Sequence, residues 1–360
     1  MNSVRLVGSG AFLPRRVISN ERLVQAIPGW SAERIASRTG IQERRYLWDF
    51  DAESGRALPP PPDASGVPRS NVDMGEVALR RALEMSGLDA SSLDAIYLVT
   101  TTPDQVNFCH DAVQLHRRLG CRSDTHALVV DSGCGGALYV VDMARRMILA
   151  DAARTIAVVA STFASAYVDR EIFTCAMPEN QRINAFLSMY MFGDGAGALI
   201  LRGDDRPGLG FLASTSGTGH QELVVHRGGG ANLPSHTRAT VADHAFYIDG
   251  PAVAEAYPFF MQKAVDELAA IRPASTEPVS RYYLHQANKL VLDRFVASAG
   301  IPAERVPVHV NRYGNTSAAS TLILFAEDLE QGVVKLGGGE LVLFAAVGAG
   351  VHYGAHLVRL

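Results

Sequence analysis

Three residues carry the chemistry that this sequence can support: Cys134, His285 and Asn315. Cys134 lies in Val129-Val130-Asp131-Ser132-Gly133-Cys134-Gly135-Gly136-Ala137-Leu138-Tyr139. A β-branched run, a Ser-Gly turn and an amphipathic pattern read as strand, tight turn and helix. A thiol in the first turn of a helix sits at the positive end of a dipole of about half a charge, which lowers its pKa from about 8.5 and favours the thiolate. Glycines around it keep side chains away from an approaching group. Cys134 is therefore the expected covalent nucleophile. His285 opens His285-Gln286-Ala287-Asn288, directly after an expected strand at 281–284. Asn315 lies in Gly314-Asn315-Thr316-Ser317-Ala318-Ala319-Ser320. A cysteine takes an acyl group as a thioester. A neutral imidazole N–H and an amide N–H can together stabilise the enolate left when a malonyl-type thioester loses CO2. A cysteine hydrolase uses the same residue types, with the histidine deprotonating the thiol. Residue types alone leave both chemistries open.

These residues need elements to place them. Strands are expected at 4–12, 95–101, 129–130, 155–161 and 192–201, separated by helices at 20–27, 31–39, 74–85, 108–119 and from 134. After 205 the order begins again, with strands at 209–216, 281–284, 306–310, 340–347 and 353–358 and helices at 251–271, 289–299 and 315–331. Both halves place Gly-Ala-Gly before or at their closing strand. The reading is an α/β chain duplicated about a pseudo-twofold axis, 1–204 and 205–360, with a largely parallel sheet in each half. Asn315 then starts the helix equivalent to that of Cys134, and all three residues sit beyond the carboxyl ends of strands, where α/β sheets bind ligands. The stretch 48–69, with Pro59 to Pro62, reads as a surface excursion. Gly193-Asp194-Gly195-Ala196-Gly197 matches no phosphate-loop spacing and reads as tight backbone packing.

Composition narrows the remaining classes. The chain has 360 residues, 48% hydrophobic and 19% charged, with a net charge of −4 and no long run of one sign, so neither nucleic acid nor a membrane is an expected partner. No stretch approaches the roughly 20 apolar residues of a membrane-spanning helix. Cys109, Cys121, Cys134 and Cys175 show no disulfide or metal spacing, and no leader precedes the first strand. The expectation is a reduced, cytoplasmic protein without a metal.

The ordered set Gly133-Cys134-Gly135-Gly136, Phe192-Gly193-Asp194-Gly195-Ala196-Gly197, His285-Gln286-Ala287-Asn288, Gly314-Asn315-Thr316-Ser317-Ala318-Ala319-Ser320 and the closing 348–358 strongly resembles the β-ketoacyl-acyl-carrier-protein synthase III family of the thiolase superfamily. The resemblance runs from Val4 to Leu360. It implies a five-layered αβαβα thiolase fold, a homodimer, no bound cofactor, and acyl groups delivered on the phosphopantetheine of acyl carrier protein or on CoA. It implies a decarboxylative Claisen condensation of the Cys134 acyl group with a malonyl- or β-ketoacyl-carrier-protein, in fatty-acid or polyketide biosynthesis. His285 and Asn315 would act on the extender, and the Ala349 backbone N–H would serve the oxyanion hole. Phe108 would reach the partner's acyl pocket, and Asn288 would line the pantetheine tunnel.

Four departures point to a specialised member. Gly133 and Gly135 flank Cys134 where the family usually has alanines, which suggests more room at the sulfur. Arg34 stands where housekeeping members carry a tryptophan that stacks on the adenine of CoA, which favours a carrier-borne starter. Leu290 replaces a docking arginine, and 48–69 is extra. Head-to-head condensation of two acyl chains, of the pyrone or resorcinol type, and acyl transfer to an oxygen or nitrogen nucleophile are the alternatives on the same scaffold.

Overall fold

The computed structural model describes residues 3–61, 66–106, 108–173, 183–184, 186–206, 208–226, 240–272 and 277–360. Cys175 and residues 62–65 of the excursion lie outside them.

Two sheets carry the chain. The first orders Ser3–Phe12, Gly195–Asp204, Thr155–Thr162, Ala95–Val99 and His126–Val130. The second orders Gly210–Thr218, His352–Arg359, Leu341–Gly348 and Arg281–Leu284. The sheets are mixed and not largely parallel. Ala95–Val99 runs parallel to both its neighbours, and Arg281–Leu284 parallel to Leu341–Gly348, but the remaining pairs are antiparallel. The reason is visible at Ala349-Gly350-Val351, too short for a crossover, so Leu341–Gly348 and His352–Arg359 must form a hairpin.

Between the sheets lie the helices Gly136–Leu149 and Ser320–Glu330. Leu138, Val141, Ile148, Leu322, Ile323 and Phe325 form one buried core with strands of both sheets. Asn71–Ser86 and Asp111–Leu119 cover the outer face of the first sheet, Gly250–Ile271 and Lys289–Ser298 that of the second. The result is the expected five-layered αβαβα thiolase architecture. Local signals set the helix ends. Ser70 caps Asn71–Ser86 by accepting the Asp73 N–H at 3.2 Å, and Gly87 ends that helix in the left-handed region.

Several sequence expectations change. No strand forms over 306–310. Pro307 cannot donate to a ladder, and the segment runs instead into the short helix Val310–Tyr313. Asn315 does not start a helix. It pairs in a parallel bridge with Phe192, and the helix begins at Ser320 after the 3-10 turn Ser317–Ala319. The excursion lies at the surface as expected, but it is anchored. Asp49–Phe50 pairs with Ala57–Leu58, Phe50 is buried, and the Trp48 indole donates to Arg69 O at 2.8 Å while meeting Phe163 edge-on. The strand Val224–His226 lies within the expected loop at 217–240, paired with Phe246–Asp249.

Candidate active site

Cys134 sits in the turn between the strand His126–Val130 and the helix Gly136–Leu149, one residue before the Gly135 cap. Gly133 holds this turn at φ +60°, and Gly135 is required by close approach. A Cβ on Gly135 would lie 2.1 Å from the His352 carbonyl oxygen and 2.8 Å from the Gly348 nitrogen. The extra glycine thus makes no room at the sulfur. It lets the Gly348–His352 turn of the other half pack against the nucleophile loop.

The Cys134 sulfur lies 3.3 Å from Ser317 Oγ. Burial pushes its thiol pKa up, and hydrogen bonds from the Ser317 and Asn315 side chains and its own backbone N–H oppose the rise. The helix start does not by itself yield a low-pKa thiol here.

His285 follows the strand Arg281–Leu284 and extends its pairing, donating its backbone N–H to Ala345 O at 2.9 Å. Its carbonyl accepts the Tyr257 hydroxyl from the helix Gly250–Ile271. Its ring is buried, with Nδ1 2.8 Å from Ser320 Oγ. Burial lowers its pKa to about 3, so the imidazole is neutral at physiological pH.

Asn315 is fixed on three sides. Its N–H donates to Met191 O at 2.8 Å, its C=O accepts the Gly193 N–H at 3.1 Å, and its Oδ1 accepts the Ser317 N–H at 2.8 Å. With Oδ1 engaged, the amide NH2 is the end left for a ligand. The Phe192-Gly193 turn therefore serves backbone packing, as its spacing suggests.

Gln286 takes over the task of the absent strand. Its Oε1 accepts the backbone N–H groups of His309 and Val310, both at 2.9 Å, and its Nε2 donates to Pro307 O at 2.7 Å.

Cys134 borders two cavities. The larger, about 570 Å³, runs past Thr101, Val106, Tyr167, Met189, Phe246 and His352. The smaller, about 50 Å³, is walled by His285, Asn315 and Tyr257. Phe192, Val224 and Ala349 border both. One sulfur thus faces a mainly apolar space of acyl-chain dimensions on one side and a small chamber with two N–H-bearing side chains on the other.

Residues 130–219 match the family model described as 3-oxoacyl-[acyl-carrier-protein (ACP)] synthase III, and residues 272–360 match its C-terminal model. The β-ketoacyl-[acyl-carrier-protein] synthase III of Roseiflexus sp. (strain RS-1) is 32% identical over 366 residues, covering 99% of this chain and 98% of the relative. The chain belongs to the 3-oxoacyl-acyl-carrier-protein synthase III family. The Thermus thermophilus synthase III structure superposes with a TM-score of 0.80 at 26% identity, covering 99% of each chain. The priming β-ketosynthase of the R1128 polyketide pathway shares the fold, with a TM-score of 0.77 at 24% identity over 100% of this chain and 96% of that one.

The remaining expected site residues of this synthase III family member fall in different places. Ala349 borders both cavities. Asn288 borders neither. It caps Lys289–Ser298, accepting the Val291 N–H at 2.9 Å. Phe108 borders neither of the two cavities and is 89% exposed, at φ +52°. Arg34 lies over the Trp30 ring at 4.1 Å, and Trp30 packs on Tyr190, so that indole already has two partners. Ser317, Ser320 and Tyr257 touch the expected site residues, yet sequence reasoning gave them no role. The two serines stood within the Asn315 motif, whereas Tyr257 had no signal beyond an aromatic on an amphipathic helix.

Among the described residues, no group of three or more His, Cys, Asp or Glu side chains could hold a metal ion. None of the helices in these residues is long and apolar enough to cross a membrane.

Proposed function

We propose that this condensing enzyme loads an acyl group on Cys134 and joins it to a malonyl- or β-ketoacyl-carrier-protein by decarboxylative Claisen chemistry, in fatty-acid or polyketide biosynthesis. The observation that carries the reading is the neutral, buried His285 beside Asn315 in the small chamber, with Cys134 between that chamber and the larger cavity.

In the first step the Cys134 sulfur attacks the acyl thioester carbonyl. The carrier thiolate leaves and takes up the thiol proton, and the acyl chain occupies the 570 Å³ cavity. In the second, the bond between the extender's α-carbon and its carboxylate breaks and CO2 departs. The electron pair is held as an enolate by N–H donors of His285 and Asn315. The α-carbon then attacks the Cys134 thioester, whose oxyanion is met by backbone N–H groups of Cys134 and Ala349. Collapse expels the cysteine thiolate and leaves the new carbon–carbon bond.

The halves are taken as 1–204 and 205–360. Acyl carrier protein is the family's substrate partner, and the covered Trp30 face favours it over CoA as donor here. Asn288 would meet the pantetheine arm from the mouth of the Lys289–Ser298 helix. A homodimer formed along the His126–Val130 edge fits the exposed Leu128, Val106 and Phe108 and would bring Phe108 to the partner's acyl cavity.

Intact mass after incubation with acyl-carrier-protein and acyl-CoA thioesters tests the reading. The wild-type chain should gain one acyl group and Cys134→Ala none. An acylated Cys134→Ala protein would show the nucleophile to be elsewhere.

A further inference from the structure

His285 can act on an enolate only if the nitrogen facing the chamber bears a proton, and the fold contains a device that decides this. A neutral imidazole carries one proton, on Nδ1 or on Nε2, and the partner of one nitrogen selects the state of the other. Ser320 Oγ lies 2.8 Å from Nδ1, with both groups buried. A hydroxyl can donate or accept, so the direction depends on where else the Ser320 proton could go. The usual competitor for a serine in a helix is the carbonyl four residues earlier, here Thr316. That oxygen already accepts the Ala319 N–H at 3.0 Å and the Thr162 hydroxyl at 2.9 Å, which fills both lone pairs. Among the described residues Ser320 Oγ has no partner but His285.

We infer that Ser320 donates its hydroxyl proton to His285 Nδ1 and thereby places the imidazole proton on Nε2, the nitrogen left for the chamber. Ser320 is a positioning residue. It touches no substrate and acts through His285. Thr162, on the strand that feeds the other half of the site, takes part by occupying the competing acceptor. The inference rests on the proposed role of His285, and it separates the two chemistries that residue types leave open. An Nε2–H donor stabilises an enolate but cannot accept the Cys134 proton, as a hydrolase histidine must.

Two measurements decide it. Nitrogen-15 NMR of histidine-labelled protein at pH 7, with His285→Asn to assign the signal, should show wild-type His285 protonated at Nε2 and unprotonated at Nδ1. The opposite tautomer would overturn the inference. In Ser320→Ala the two tautomers should mix. Pre-acylated Ser320→Ala enzyme should then condense with malonyl-carrier-protein about 10- to 100-fold more slowly, short of the loss of about 10²–10³ for deleting a donor outright. Its self-acylation should stay within about twofold of wild type. Unchanged condensation, or an equal loss of both steps, would overturn the assignment. If wild-type enzyme does not condense at all, the proposed function fails, and the NMR measurement on the folded protein still decides the role of Ser320.

Discussion

In the half that carries Cys134, the strand Ala95–Val99 has a parallel neighbour, His126–Val130, which leads straight into the nucleophile turn. In the half that carries His285, the equivalent strand Arg281–Leu284 has no such neighbour among the described residues. Pro307 interrupts the ladder, and one buried side chain, Gln286, satisfies the two backbone N–H groups that a strand would have paired. The first half is left with an open edge and an exposed Leu128 at 56%. In the second, the segment at 306–310 forms no strand, and Gln286 holds its His309 and Val310 N–H groups instead. An unpaired edge invites another chain, and the exposed Leu128 marks that edge in the first half. The proposed chemistry divides the same way, with the thiol of Cys134 in the proposed 1–204 half and the N–H-bearing side chains of His285 and Asn315 in the proposed 205–360 half.

The largest expected effect tests that chemical division. His285→Ala or Asn315→Ala should slow condensation by about 10²–10³-fold while leaving Cys134 loading intact. Loss of loading in both variants, followed by intact mass, would make His285 a base and erase the division. Next in size is Gln286→Ala. Two buried N–H groups lose their acceptor, and each unsatisfied donor costs about 1–3 kcal/mol. A loss of about 2–6 kcal/mol in urea unfolding is expected, and an unchanged midpoint would mean that the segment at 306–310 needs no substitute for a strand.

A pH series sharpens the comparison further. Burial holds His285, His309 and His356 neutral, with pKa values pushed down to about 3, about 3 and about 4. An unfolded chain takes up these protons below about pH 6.5, whereas the folded one does not, so stability falls as pH drops from about 6.5 towards 4. Asp194, raised to about 6 by burial, is protonated in the folded state first and opposes the fall, as do Asp104 and Glu327, which burial also raises. The urea midpoint at pH 5 should lie below that at pH 7, and an equal or higher one would contradict the buried-histidine account. The smallest effect on folding is expected at the open edge. Leu128→Asp should change the stability of the chain itself by no more than about 0.5 kcal/mol, yet reduce the mass seen by light scattering to that of a monomer. A mass that does not change would place the association surface elsewhere.

The path from residue types to site was legible in part. Cys134 and His285 follow strands as expected, Asn315 follows the short helix Val310–Tyr313 instead, and the motifs of all three specify the family. The same reading placed a strand over 306–310 because valines alternate there, and it missed the weight of Pro307. It read Gly135 as room at the sulfur, when the space is filled by the His352 carbonyl from more than 200 residues away.

Local pattern by itself determined where most of the helices and strands fall, because burial of an apolar face imposes its period on the chain. It also determined which side chains have the chemistry to hold an acyl group and stabilise an enolate. Tertiary structure alone decided the protonation states on which that chemistry depends. Burial raises the Cys134 thiol and lowers His285, and the saturation of Thr316 O by Thr162 directs the Ser320 proton. Desolvation and hydrogen-bond competition depend on which groups from distant parts of the chain arrive together, and that is written in no single stretch of residues.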